Sequence, residues 1–187
     1  MADFLTTLAH TSCARASRDH TASEALLVAD GYGLLCLHAF DPKSELHRQA
    51  CMVLDLVIEK DVQLIWPHLD DFVLSLKNII DESSIRVMSR ICVSLSKLKL
   101  TDLQQQHITE ACFDWLVGPH KVAAKSNAIY TLLILAQSDS WIATELQEII
   151  QKDYSEGTAA YKAAAKKALR KLGKTRNIQA LKTGNKK

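Results

Sequence analysis

Breakers are scarce in this chain. There are six glycines and three prolines in 187 residues, and the chain is 48% hydrophobic. That leaves little room for a turn-rich fold and makes an all-α protein of one domain with a sizeable core the expectation. Long apolar runs are missing as well, and none approaches the ~20 residues of a membrane span. The start, Met1-Ala2-Asp3-Phe4-Leu5, lacks the basic opening and long apolar centre of a secretory signal. The five cysteines, at 13, 36, 51, 92 and 112, are an odd number without a framework spacing. They read as reduced, helix-buried thiols of a cytosolic protein. A Gly-rich phosphate loop is absent: Gly31-x-Gly33 has neither a third glycine nor a preceding strand. No Ser-His-Asp or Cys-His grouping can be assigned from the spacing. The expectation is a protein that is not an enzyme and uses no cofactor.

What the sequence does have is helical periodicity. Between Asp61 and Leu100, two apolar sets recur at three- and four-residue steps, the mark of amphipathic helices. Leu64, Ile65, Leu69, Phe72, Val73, Leu76 and Ile80 define a helix near 62–79. Ile85, Met88, Ile91, Cys92, Leu95 and Leu98 define a second near 83–98. Asp81-Glu82-Ser83-Ser84 is a tight turn between them. One such hairpin cannot bury its apolar face alone, so copies are needed beside it. Upstream, the pattern predicts a short helix from Phe4 to Ala14, a polar stretch from Arg15 to His20, and a helix capped by Thr21 or Ser23 that runs through Leu26, Leu27 and Val28. Gly31-Tyr32-Gly33 interrupts it, and Ser44 caps a helix over about 45–59. Downstream, Thr101 caps a helix over 102–116 with Leu103, Ile108, Ala111, Cys112 and Trp115 inward. Gly118-Pro119 separates it from a helix over 120–136, and 141–150 and 158–172 complete the series, with Gly173 as the C′ residue.

The second helices repeat. An apolar residue, a small one four later, and further positions four and three on give Leu46/Ala50/Leu54/Val57, Ile85/Ser89/Val93/Ser96, Val122/Ser126/Tyr130/Leu133 and Tyr161/Ala165/Leu169/Leu172. The sets are offset by 39, 37 and 39 residues. A helical pair of this period and pattern resembles HEAT repeats and their armadillo relatives, and Pro67 sits where HEAT first helices often bend. The resemblance covers about residues 22–172. More closely, Glu110–Leu116, Lys121–Lys125 and Ala159–Ala163 are similar to a group of short uncharacterised bacterial HEAT-like proteins. Some of these carry the label adenylosuccinate lyase, but that enzyme's Gly/Ser-rich signature loop is absent here. The resemblance implies a right-handed α–α superhelix of about four pairs over residues 1–173. The second helices would lie near 45–59, 83–98, 120–136 and 158–172, with a basic, frayed tail over 174–187.

Net charge is only +2, but it is uneven. Gly157 to Lys187 holds ten Lys or Arg and no acid. The windows 61–82, 100–118 and 139–156, with the first helices, hold thirteen acids and two bases; the windows 83–99, 119–138 and 157–173 hold eleven bases and no acid. Capping and helix dipoles explain several of the acids and the bases near C-termini, but not Arg86, Arg90, Lys121, Lys125 or Lys162, which come early in their helices. In a HEAT solenoid the second helices line the concave face. A basic concave stripe of Arg86, Arg90, Lys121, Lys125, Lys162, Lys166, Lys167 and Arg170 is therefore expected to bind an acidic protein or peptide. Nucleic acid on the same residues is the alternative. Its enzymatic version resembles the HEAT-like alkylpurine DNA glycosylases, although the acids here fall on the first helices. A third reading is self-association into a homodimer near Phe4 and Leu26.

Three further groupings bring together residue types capable of chemistry or stacking. Cys36, His38, His47 and Cys51 are residue types that hold zinc, but they match no standard spacing, and core cysteines with surface histidines are the expectation. Glu110 and Asp114, at i and i+4, read as a solvated face rather than an acid–base pair. Trp66, Trp115 and Trp141 fall on first helices, where core packing is expected and a base-stacking or peptide-docking surface is the alternative.

Overall fold

Residues 47–60 sit at the centre of the N-terminal half, and their sequence explains why. The run Ala50-Cys-Met-Val-Leu-Asp-Leu-Val-Ile58 is buried all round, which only a helix enclosed by neighbours tolerates. In the computed structural model, which describes the backbone of residues 4–184 and the side chains of residues 4–173, this helix is α4 (His47–Lys60). The others are α1 (Phe4–Ala9), α2 (Arg15–Leu27), α3 (Gly31–Phe40), α5 (Leu69–Ser75), α6 (Glu82–Leu95), α7 (Asp102–Val117), α8 (Val122–Leu135), α9 (Ser140–Asp153) and α10 (Ala159–Gly184). No strand occurs among the described residues.

Packing follows an alternation. α4 packs on α2 and α6, α6 on α8, and α8 on α10, so the even-numbered helices form one row. α5 packs on α3 and α7 in a second row. Sequential contacts such as α3 with α4, α7 with α8 and α9 with α10 join the rows. Compared with the four expected pairs, α1 and α2 add a pair at the N-terminus: α1 packs on α2 and α4, and α2 on α3 and α4. The polar stretch from Arg15 is thus helical. Thr21 and Ser23 are not caps; they lie inside α2 and donate to the Ser17 and Asp19 carbonyls. α1 ends at Ala9 rather than Ala14.

Local chemistry sets the ends. At the α2–α3 junction Asp30 takes φ 59°, a left-handed conformation that Asp tolerates better than bulky residues. A Cβ on Gly31 would stand 2.9 Å from the Ala25 carbonyl oxygen, so glycine there lets α3 start close against α2. The expected first helix of the central hairpin is broken. Val62–His68 is a 3₁₀ segment, α5 follows, and Leu76–Asn78 is 3₁₀ again. Pro67 lacks an N–H and crowds the preceding turn, which disfavours continuous α-helix. Asp81 caps α6 by accepting the Ser84 N–H (2.8 Å). Thr101 and Gln104 form a reciprocal capping box at α7, and Gln104 Nε2 also donates to Asp70 Oδ1 (2.7 Å), tying α7 to α5. α10 runs on through Gly173 to Gly184, so Gly173 is not its end. The tail expected over 174–187 is helical in its backbone as far as Gly184; its side chains and residues 185–187 lie outside the described residues.

The core contains the central hairpin's Ile65, Leu69, Phe72, Ile85, Met88 and Ile91. The small repeat positions Ala50, Ser89 and Ala165 are fully covered, as a close neighbouring helix requires. In α8 the register is two residues later than the sequence pattern suggested. Ala124, Ala128, Leu132 and Leu135 are buried in that register, whereas of the expected set Leu133 is buried but Val122, Ser126 and Tyr130 are only half-buried. Ala50, Ser89, Ala128 and Ala165 are then spaced by 39, 39 and 37 residues. Some expected core residues face outward, including Ile80 (85% exposed) and Leu103 (62%). Leu26, Leu27 and Val28 are exposed too, but Phe4, their expected partner in a dimer seam, is buried.

Candidate partner-binding faces

The charges segregate by row over much of the chain. α5 and α7 carry acids and no Lys or Arg, and α9 has Lys152 as its only base. On the other row, Lys125 is the only charged residue of α8. Past Glu82, α6 carries only Arg86 and Arg90. The side-chain-described part of α10 carries only bases. The segregation does not reach α2 and α4, where Arg15, Arg18, Asp19 and Glu24, and Arg48, Asp55, Glu59 and Lys60, mix the two signs. On α6 Glu82 is the departure: it opens the helix rather than closing the preceding turn, and it bridges to the start of α8. His120 Nδ1–H donates to Glu82 Oε1 (2.6 Å) and the Lys121 N–H to Oε2 (3.1 Å). The His120 hydrogen bond, then that of Lys121, holds the Glu82 carboxyl below its ordinary value of 4.5.

The eight basic residues divide into two groups. Two are engaged inside the molecule. Arg90 spans from α6 to α4 and pairs with Asp55, its Nε donating to Oδ1 (2.9 Å) and its Nη2 to Oδ2. Asp55 itself is only 4% exposed. Lys167 places its ammonium 4.9 Å above the Tyr130 ring, a cation–π contact between α10 and α8. The remaining six, Arg86, Lys121, Lys125, Lys162, Lys166 and Arg170, make no side-chain ion pair among the described residues. Arg86, Lys121, Lys166 and Arg170 are exposed, and Lys125 and Lys162 half-buried. Lys125 borders a hollow between α8 and α10 that also presents Asp153 and Glu156.

The acidic row has a groove between α7 and α9. The two helices meet through Phe113 and Trp141, whose rings are edge-to-face at 5.5 Å. The groove holds about 880 Å³, and no Lys or Arg lines it among the described residues. Glu110 and Asp114, the i/i+4 pair, stand on its rim. Glu110 accepts from Gln106 Nε2 (2.8 Å). The tryptophans differ from one another. Trp115 is core at 3% exposed, whereas Trp66 (39%) and Trp141 (58%) face outward.

The cysteine–histidine grouping does not converge. Cys51 Sγ lies 3.7 Å from both His47 ring nitrogens and 3.5 Å from the Ala39 carbonyl oxygen. His38 Nδ1 instead pairs with Ser44 Oγ at 2.7 Å. Burial pushes the Cys36 and Cys51 thiols up to about 12, so both are protonated at neutral pH. His47, expected at the surface, is buried at 5% exposed. Among the described residues, no group of three or more His, Cys, Asp or Glu side chains is placed to hold a metal ion. Likewise, no helix among the described residues is long and apolar enough to cross a membrane.

Two features were not legible in the sequence. The Arg90–Asp55 bond joins residues 35 apart, and nothing in a helical pattern pairs them. The α7–α9 groove depends on how far two separate helices stand apart, although the position of Trp141 at the very start of its helix was a weak pointer. Comparison of the chain with protein-family models, with curated proteins and with solved structures finds no match in any of the three.

Proposed function

We propose that the chain is a HEAT/armadillo-like α-solenoid acting as a non-enzymatic scaffold, and that it binds an acidic protein or peptide along the even-numbered helices. One observation supports this reading above the rest: six basic side chains on α6, α8 and α10, or at their starts, make no ion pair among the described residues, while the acids of the C-terminal half are mostly on the other row. Cations outside a direct ion pair can turn to a bound acid, and several weak contacts together give affinity and speed association. Arg86, Lys121, Lys125, Lys162, Lys166 and Arg170 are the contacts; Arg90 and Lys167 support the surface from within.

The test is fluorescence anisotropy with two labelled probes, a polyglutamate peptide and a DNA duplex, from low to physiological salt. The wild-type chain is expected to bind polyglutamate in a salt-sensitive manner, and an R86E/K121E/K162E variant to lose that binding. Tight, steeply salt-dependent binding of the duplex with none of the peptide would replace this reading with nucleic-acid binding on the same residues. Binding of neither probe at low salt would refute it.

A further inference from the structure

The acidic row carries a second binding surface of opposite character. We infer that the α7–α9 groove takes a basic, amphipathic helical segment of a partner protein, with its apolar stripe on Phe113 and Trp141 and its Lys or Arg side chains against Asp102, Asp114 and Glu145. Three observations carry this.

The first is the floor. Trp141 is 58% exposed and Val117 60%, and both line the groove with the half-buried Phe113. An indole left in water at the edge of a concavity is an unpartnered anchor of the type that dominates protein interfaces. Trp141 is not needed as core, because Ile142, Leu146 and Ile150 already bury the inner face of α9.

The second is the rim. Asp102, Asp114 and Glu145 line the groove and make no ion pair among the described residues. Asp139 and Glu110, also on the rim, are partly used: Asp139 accepts the Trp141 N–H (2.9 Å) and Glu110 the Gln106 amide. Carboxylates of one sign around an apolar floor focus a negative potential there, which attracts cations and repels nucleic acid or an acidic chain.

The third is shape. The groove of about 880 Å³ lies between two helices, the setting in which an amphipathic helix docks by anchors at i, i+3, i+4 and i+7. Within the described residues, the basic side chains that could fill such a role belong chiefly to the other row, so the groove is open to a partner.

The probe is a fluorescein-labelled synthetic helix with leucines at i, i+3, i+4 and i+7 and lysines elsewhere, beside a control with glutamate for every lysine. Anisotropy is read against wild type, D102N/D114N/E145Q, W141A and R86E/K121E/K162E. All of these substitutions are at solvent-accessible positions, and circular dichroism checks the fold of each. The lysine peptide is expected to bind saturably, with a Kd that rises with salt. Each rim charge contributes at most about fivefold, so the triple neutralisation should raise the Kd by about tenfold or more. W141A should raise it several-fold, the glutamate peptide should not respond to W141A, and R86E/K121E/K162E should leave lysine-peptide binding in place. That last arm separates this surface from the basic face. Absence of saturable binding, or equal Kd values in wild type, the triple variant and W141A, would overturn the inference.

Discussion

Replacing Arg90 with alanine strips both hydrogen bonds from a carboxylate that α4 holds in the interior. Asp55 has 4% of its side chain exposed, while Arg90 has 52%. The asymmetry sets the size of the effect. A fully buried charge left without its partner costs about 3–5 kcal/mol. Here the vacated guanidinium position opens to solvent, and water would replace part of what is lost. Hydrogen bonds to a charged group contribute about 1.5–3 kcal/mol, so Arg90→Ala is expected to destabilise the chain by about 2 kcal/mol. For a domain of this size that lowers Tm by about 4–8 °C. Asp55→Ala should cost less, because the guanidinium it leaves without a partner is half exposed. The double variant should cost clearly less than the sum, with a coupling of at least about 1 kcal/mol. Urea unfolding of the four proteins, followed by circular dichroism at neutral pH, supplies all the numbers. If Arg90→Ala costs less than about 0.5 kcal/mol, or the two single effects simply add, the pair does not join α4 to α6 energetically.

Other outcomes follow from single contacts. Gly31→Ala places a methyl group 2.9 Å from the Ala25 carbonyl oxygen, and the backbone there has little freedom to move; a loss of about 1–3 kcal/mol is expected in thermal unfolding. Phe72 is fully buried and edge-to-face with Phe40 at 5.8 Å, so Phe72→Ala should cost about 3–5 kcal/mol by the same assay, whereas Trp141→Ala should cost little. Glu82 has a carboxyl held below its ordinary 4.5 by His120 and Lys121. A lowered carboxyl stabilises the fold above its unfolded value and loses that contribution as pH falls through its folded one. The Tm difference between wild type and Glu82→Gln should therefore be present at neutral pH and close progressively below pH 4.5; a difference independent of pH would contradict the assignment.

Periodicity carried much of the fold. Apolar spacing at 62–100 located α6 and the helical segments before it, Thr101 and Asp81 are caps as local chemistry requires, and the repeat of small residues marked the row from α4 to α10. The errors have physical causes. α2 is amphipathic only weakly, with Thr21 and Ser23 turned back onto their own helix, so the hydroxyls imitated caps. Val122 is apolar yet only half-buried, which displaced the third repeat set by two residues. A proline inside an apolar run gave a bent helix in the sequence reading and a 3₁₀–α–3₁₀ sequence in the fold. Of the candidate site, the uneven charge was legible because it follows helix by helix. The engagement of Arg90 by Asp55, of Lys167 by Tyr130, and the groove beside Trp141 were not, because each is a contact between helices distant in sequence.

The measurement that bears most directly on the central proposal is a ¹H–¹⁵N correlation titration of the labelled chain with polyglutamate. Shift changes confined to the outer residues of α6, α8 and α10, around Arg86, Lys125, Lys162 and Lys166, are expected, with α5 and α7 unchanged. Changes spread evenly over both rows, or none at saturating peptide, would contradict a basic binding face on the even-numbered helices.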